Sequence, residues 1–163
     1  MAIISSLEKE KADDVAKAIY ESFEKESGKV PEWVSVMAHD SAILKNFVGL
    51  FSAVMKQGEL DPLLRWKIGY VVSESLKCEF CVSVTSKMLK VLGASEEALG
   101  GIENEEILSL VKDLTDDANL ENPEIVIKLK EKFSEKQIIE IISIIGFFNY
   151  INRFNNALAV SPE

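Results

Sequence analysis

The chain has 163 residues and a mass of 18.1 kDa, which fits one domain over residues 1–163 with a substantial hydrophobic core. Its 27 acidic and 18 basic residues give a net charge of -9, which would repel nucleic acid and anionic membrane surfaces. We therefore expect no nucleic-acid partner and no membrane partner. The first residues lack the basic and apolar regions of a secretory signal, so we expect a cytoplasmic location.

Apolar residues recur with a helical period along the chain, and no segment alternates with the period of two that marks a strand. The first amphipathic segment runs from Leu7 to Phe23, and Gly28 should end that helix. A second helix should begin at Asp40 or Ser41, because both residue types cap helix N-termini well. The pattern predicts an all-α domain.

Residues that favour helix starts mark the later helices. Asp61 followed by Pro62 should begin a helix that continues into the cysteine-containing segment. Ser134 lies three residues before Gln137 and fits a capping box for a long C-terminal helix. Further candidate helix starts lie at Ser95, Asn104 and Asn122.

The predicted C-terminal helix is apolar around most of its circumference, because isoleucine and phenylalanine dominate residues 138–154. A helix of this kind must be buried on all sides, and a domain of this size rarely surrounds one helix by itself. We therefore expect a homo-oligomer whose interface includes part of this helix.

Both cysteines, Cys78 and Cys81, lie in the segment SESLKCEFCVSVT. In a reducing compartment, such a pair is more often catalytic, redox-active or metal-binding than a permanent disulfide. On a helix, residues three apart have Cα atoms about 5 Å from each other, within the range that a disulfide can bridge. If the helix is unbroken, Glu74 and Thr85 extend the same face, so that a carboxylate, two sulfurs and a hydroxyl share one stripe.

The residues alone leave three roles open for the pair. Free cysteine behaves as a small hydrophobe, so both thiols could be core residues without a chemical role. A zinc site usually needs four ligands, and the single histidine, His39, lies far away in the sequence and fits a helix start, so we expect no metal and no cofactor. A redox role needs a thiolate, which Glu74 could promote by accepting the proton or oppose by its charge.

Three segments resemble, in their order, the alkylhydroperoxidase D / carboxymuconolactone decarboxylase family, especially its peroxidase-related branch. They are GKVPEWVSVMAHDSAILKNF, LDPLLRWKIGYVVSESLKCEFCVSVTSKMLKVLG and FSEKQIIEIISIIGFFNYINRFNNAL, and the similarity covers residues 28–159. Asn149, Asn152 and Arg153 match an Asn-x-x-Asn-Arg segment in the closing helix of that family. The resemblance implies an all-α fold, a dimer, trimer or hexamer, and a C-x-x-C pair near a helix start.

In the peroxidase-related branch, the second cysteine attacks a hydroperoxide and the first captures the resulting sulfenic acid as a disulfide. The resemblance therefore implies that Cys81 is peroxidatic and Cys78 resolving, with a dithiol reductant such as a dihydrolipoyl protein resetting the pair. The family's proton relay adds a glutamate and a histidine, at positions that Trp66 and Thr85 fill in this chain. Glu74 is the candidate substitute for the base.

The resulting prediction is an antioxidant protein, with a leaning toward an enzyme, that reduces hydroperoxides or exchanges disulfides through Cys78 and Cys81. Two alternatives stay open. A lactone decarboxylase acting on small acids would need a cationic, proton-shuttling pocket, whereas a non-catalytic oligomeric binding protein would explain the missing relay residues. A low thiol pKa with fast alkylation would favour the enzyme, and a normal pKa with slow alkylation would favour the binding protein.

Overall fold

The computed structural model describes residues 2–117, 119–120 and 122–162, and these residues form eight α-helices and no strand. The predicted all-α fold is confirmed. The helices are α1 (Asp14–Ser27), α2 (Glu32–Met37), α3 (Ser41–Phe51), α4 (Pro62–Ser75), α5 (Glu79–Val91), α6 (Glu105–Asp116), α7 (Glu124–Leu129) and α8 (Glu135–Leu158). A π-helical turn, Ser52–Lys56, extends α3, and two short 3-10 turns cover Lys9–Lys11 and Glu96–Ala98.

Side-chain caps begin the main helices where the sequence predicted them. Asp40 and Asp61 each accept a hydrogen bond from a free amide in the first turn of α3 and of α4. Ser134 and Gln137 form the reciprocal capping box of α8. Gly28 ends α1 with a φ of 80°, a left-handed conformation that glycine adopts without a Cβ penalty.

The helix is broken between Glu74 and the cysteines, so the single stripe that an unbroken helix would give does not form. The helix ends at Ser75, because Lys77 takes the left-handed conformation (φ 53°) and turns the chain. The N–H of Lys77 donates to the carbonyl of Glu74 at 3.1 Å, and that of Cys78 donates to the carbonyl of Ser73 at 3.2 Å. This pair of bonds is the Schellman motif, which usually has glycine at the position of Lys77.

The main hydrophobic core lies where α4 packs against α5, α6 and α8, and α8 also contacts α6. Its fully buried large side chains include Leu44, Ile68, Leu110, Ile141 and Ile144. Helices α4 and α8 meet closely at Gly69, where a Cβ would collide with the ring of Phe148. This contact places the C-terminal half of α8 beside the junction between α4 and α5, which carries the cysteines.

Within the described part of the chain, no helix has both the length and the apolar character needed to cross a membrane.

Candidate functional site

The two cysteines lie at the start of α5, as the resemblance implied. Cys78 is the N-cap residue of that helix and Cys81 lies in its first turn. Both are free thiols, only 1% and 4% exposed, and their Sγ atoms lie 2.6 Å apart. Since a disulfide bond is about 2.05 Å long, a small movement of either sulfur would allow the bond to form.

The two sulfurs differ in their hydrogen bonds and in the direction of their pKa shifts. Its Sγ accepts a hydrogen bond from the backbone N–H of Cys81 at 3.4 Å, at the positive end of α5. The hydrogen bond from the Cys81 thiol, helped by this backbone bond, lowers the pKa of Cys78. The same thiol–thiol bond and burial raise the pKa of Cys81. These opposite pKa shifts favour the thiolate on Cys78 over the thiolate on Cys81.

Asn155 of α8 is a third member of the site, and the sequence analysis did not identify it. Its Nδ2 lies 3.4 Å from Sγ of Cys81 and donates a hydrogen bond to it, and the residue is 1% exposed. Its Oδ1 is buried and has no hydrogen-bond partner. The available signal was the spacing of Asn152 and Asn155, two amides on one face of an otherwise apolar helix.

Two of the predicted site residues, Glu74 and Thr85, make other contacts. Glu74 is exposed on α4, and burial together with this neighbouring carboxylate raises the pKa of Tyr70. Thr85 is fully buried, but its Oγ1 donates to the carbonyl oxygen of Cys81 at 2.8 Å. Among the hydrogen bonds of the described residues, none joins Glu74 or Thr85 to a sulfur atom.

Trp66, which fills one position of the family's proton relay, and His39, the single histidine, both make contacts elsewhere in the fold. Trp66 packs edge-on against Phe148 in the main core, with ring centroids 6.2 Å apart. His39 is exposed, and its Nε2 lies 2.9 Å from the carbonyl oxygen of Ser5. Within residues 2–117, 119–120 and 122–162, no group of three His, Cys, Asp or Glu side chains is placed to hold a metal ion.

A small apolar cluster, here called the cysteine cluster, encloses both sulfurs. Its buried members are Ala2, Val36, Cys78, Phe80, Cys81 and Val160, and the partly buried Trp33, Phe154 and Leu158 pack against them. Two of these residues, Ala2 and Val160, come from opposite ends of the described chain. The sulfurs are therefore shielded from water by segments that are distant in the sequence.

The Glu32 carboxylate holds these two segments together. Its Oε1 accepts the N–H of Ala2 at 3.0 Å, and its Oε2 accepts the N–H of Ser161 at 3.1 Å. The N–H of Ile3 also donates to the carbonyl of Leu158 at 2.8 Å. The hydrogen bonds from Ala2 and Ser161 lower the pKa of Glu32, so that the carboxylate is the form that links the segments. We call this arrangement the Glu32 clamp.

Comparison with known proteins defines the class of the molecule. The family model of the carboxymuconolactone decarboxylase family matches residues 41–106. The protein YnjA of Escherichia coli K12 is 26% identical over 138 residues, which cover 74% of this chain and 71% of YnjA.

Two crystal structures share the fold. One is an uncharacterized peroxidase-related protein with an alkylhydroperoxidase AhpD core from Ralstonia eutropha JMP134, with a TM-score of 0.86 and 19% identity over 99% of this chain and 92% of that one. The other is the debrominase Bmp8, with a TM-score of 0.77 and 21% identity over 99% of this chain and 92% of that one.

The fold and the buried cysteine pair define an all-α protein with a paired-thiol site. The match to the carboxymuconolactone decarboxylase family model and the fold shared with a peroxidase-related protein confirm the resemblance seen in the sequence.

Proposed function

We propose that this protein is a thiol-dependent hydroperoxide reductase or disulfide-exchange protein of antioxidant defence that uses Cys78 and Cys81. The observation that carries the proposal is the position of two free sulfurs 2.6 Å apart at the N-terminus of a helix. A helix N-terminus favours a thiolate, and a second thiol at this distance captures an oxidised sulfur before it is oxidised further. The match to the carboxymuconolactone decarboxylase family model and the fold shared with a peroxidase-related protein support an antioxidant role.

The hydrogen bonds favour Cys78 as the first nucleophile, which is the reverse of the roles that the resemblance implies. The Cys78 thiolate attacks the terminal oxygen of a hydroperoxide and becomes a sulfenic acid, while the leaving alkoxide takes the proton of the Cys81 thiol and departs as an alcohol. The Cys81 thiolate then attacks the Cys78 sulfur, forms the disulfide and releases hydroxide, which a solvent proton converts to water. A dithiol reductant, such as a dihydrolipoyl protein, restores both thiols by exchange.

The test uses the reduced protein and one equivalent of an alkyl hydroperoxide. We expect both thiols to disappear together and an intramolecular disulfide to form, much faster than free cysteine reacts. A Cys81→Ser variant should stop at a Cys78 sulfenic acid that dimedone traps, whereas a Cys78→Ser variant should react slowly. A wild-type rate no higher than that of free cysteine would contradict the proposal and favour the non-catalytic binding protein.

Reductive dehalogenation is the second candidate, because the cysteine cluster is apolar and partly aromatic. A cysteine-to-alanine variant of the debrominase Bmp8 has been crystallised with 2,3,4-tribromopyrrole. In the corresponding reaction, the dithiol supplies two electrons and two protons, so that a carbon–bromine bond becomes carbon–hydrogen and hydrogen bromide leaves with the disulfide. Incubation of the reduced protein with a brominated pyrrole should release bromide if this candidate is correct. A reduced protein that releases no bromide from the brominated pyrrole would exclude this candidate.

We further propose that the protein is a homo-oligomer that associates through α3 and α8. A groove of about 630 Å³ between these helices is lined by Ile43, Leu50 and Tyr150, each 47% exposed. Ile139, one turn before the groove-lining Ser143 of α8, is 63% exposed. A second copy would remove this apolar surface from water.

Sedimentation at micromolar concentration tests the association. An Ile43→Glu variant should sediment as a monomer, because a carboxylate in the interface would be buried without a partner. Ile127→Glu is the matched control, since Ile127 is 63% exposed on α7, away from the groove. A wild-type monomer would contradict the proposal.

A further inference from the structure

Asn155 is buried at the reacting sulfurs in a way that its packing does not explain. It lies on the apolar α8 helix, 1% exposed, with its amide Nδ2 3.4 Å from Sγ of Cys81. Among the described residues, it is the one side chain besides the cysteines that hydrogen-bonds to a sulfur. Without such a contact, burying an amide at this position would make the fold less stable than burying a leucine side chain there.

The hydrogen bond acts on the thiol that is harder to ionise. The hydrogen bond with Cys78 and burial raise the pKa of Cys81, and the hydrogen bond from the Asn155 amide lowers it. A donor that points at a developing negative charge in a dry site stabilises that charge more strongly than it would in water. Because Trp66 lies in the main core and the Thr85 hydroxyl bonds to a backbone carbonyl, neither supplies such a donor.

The carbonyl oxygen of the Asn155 amide, Oδ1, is buried and also lacks a partner within the described structure. The Oδ1 of Asn152 is also buried without a partner, but only the Asn155 side-chain amide bonds to a sulfur among the described residues. Since buried polar atoms are almost always paired, the Oδ1 of Asn155 can accept a hydrogen bond from a donor group that forms at the sulfurs. The hydroxyl of the Cys78 sulfenic acid is a donor of suitable size.

We propose that Asn155 is a catalytic residue, whose amide N–H stabilises negative charge on the Cys81 sulfur while the disulfide forms. The inference rests on the proposed dithiol chemistry and concerns its second step. The alkoxide removes the proton of the Cys81 thiol, Nδ2–H holds the resulting thiolate, and the sulfur attacks Cys78 as the hydroxide leaves. A neutral amide thereby replaces the acid–base relay that this chain lacks.

The first experiment measures Cys81 alone, in a Cys78→Ser background, by the pH dependence of its alkylation by iodoacetamide. An Asn155→Leu change should lower the alkylation rate at neutral pH about tenfold, because a hydrogen bond to a charged group is lost. This measurement needs no hydroperoxide, so it tests Asn155 even if the proposed function fails. An unchanged pH profile overturns the inference.

The matched control is Asn152→Leu in the same background. Asn152 is also fully buried on α8, but its Nδ2 donates to Ser73 Oγ at 3.2 Å and to the carbonyl of Phe148 at 2.7 Å, not to a sulfur. We expect it to destabilise the fold and to leave the alkylation profile of Cys81 unchanged. An equal effect of both substitutions would mean a general packing role and overturn the inference. Asn155→Ala provides the same comparison if the leucine variant does not fold.

The second experiment follows the native pair after one equivalent of hydrogen peroxide. In Asn155→Leu, the Cys78 sulfenic acid should form at the wild-type rate, and closure of the disulfide should be about tenfold slower. Dimedone should therefore trap the intermediate in this variant more than in wild type. Equal slowing of both steps, or no slowing of closure, would contradict the assignment.

Discussion

The main core and the cysteine cluster are both apolar, but they are built differently. The main core joins the inner faces of long amphipathic helices, and its large aliphatic side chains, such as Ile141 and Leu110, are fully buried. The cysteine cluster joins a helix start to two segments from opposite ends of the chain, and it contacts the polar Asn155. The buried amide beside the main core, Asn152, bonds to Ser73 and to a backbone carbonyl, whereas the buried amide at the cysteine cluster, Asn155, bonds to a sulfur.

This difference separates stability from reactivity. Removing volume from the main core should change the free energy of unfolding without changing the chemistry of the thiols. Changes around the cysteine cluster should alter the reactivity of the thiols and have a smaller effect on unfolding. The predictions below test this separation, from the largest expected effect to the smallest.

The largest effect should follow truncation of a core side chain in α8. An Ile141→Ala substitution should lower the free energy of unfolding by about 2–5 kcal/mol, because Ile141 is fully buried and its truncation leaves a cavity. Urea denaturation measures this change. The control is Ile139→Ala on the same helix, where the side chain is 63% exposed and the monomer should change by no more than about 0.5 kcal/mol. If both variants lost the same free energy of unfolding, α8 would not have one buried and one exposed face in the monomer, and the prediction would be contradicted.

The next largest effect concerns the contact between α4 and α8. Alanine should change the stability of the protein in opposite directions at two glycines, one inside this contact and one outside it. Gly69→Ala should destabilise the protein by about 1–3 kcal/mol, since the new Cβ collides with the ring of Phe148. Gly49→Ala should be neutral or stabilise the protein by up to about 1 kcal/mol, because Gly49 lies inside α3 with open space around its Cα. Thermal unfolding of both variants measures the difference, and a stable Gly69→Ala protein would show that the helices can separate.

The main core could be predicted from the sequence because its signals are local. Amphipathic periodicity located the helices, and the caps at Asp40, Asp61 and Ser134 set their starts. The apolar circumference of α8 also predicted that part of this helix would remain uncovered in one chain, and Ile139 and Tyr150 are exposed there.

The site could be predicted only in part. The C-x-x-C pair was visible, but the end of α4 was not, because Lys77 occupies the left-handed position where glycine is the usual signal. The contact of Asn155 with Cys81 joins residues 74 positions apart, and the Glu32 clamp joins segments still further apart. Such pairings depend on how the helices pack, which the periodicity of a single sequence does not determine.

The third prediction concerns the pH at which the pair first ionises. The lowered pKa of Cys78 should give a thiolate below the usual cysteine value of about 8.5. Brief alkylation near neutral pH should therefore label Cys78 about tenfold more than Cys81, as peptide mass spectrometry can measure. A group with a lowered pKa stabilises the fold above its unfolded value, and this contribution is lost as the pH falls through the folded value. Preferential labelling of Cys81 would contradict this prediction and would support Cys81 as the peroxidatic cysteine and Cys78 as the resolving one, as the resemblance implies.

The smallest effect should come from the Glu32 clamp. Glu32→Gln weakens the hydrogen bonds to Ala2 and Ser161 because a neutral amide oxygen is a poorer acceptor than a carboxylate. We expect dithiodipyridine, which reacts with thiols in acid as well, to modify the variant about two to three times faster than wild type at neutral pH, with little change in unfolding.

The pH dependence gives the same comparison without a mutation. The lowered pKa of Glu32 means that its stabilisation is present above the unfolded value of about 4.3 and is lost as the pH falls through the folded value. Thiol access in wild type should therefore rise toward that of Glu32→Gln in this acid range, while the variant changes less. Equal access in both proteins at every pH would mean that the apolar contacts of Ala2 and Val160 alone enclose the sulfurs, and that the carboxylate has no part in protecting them.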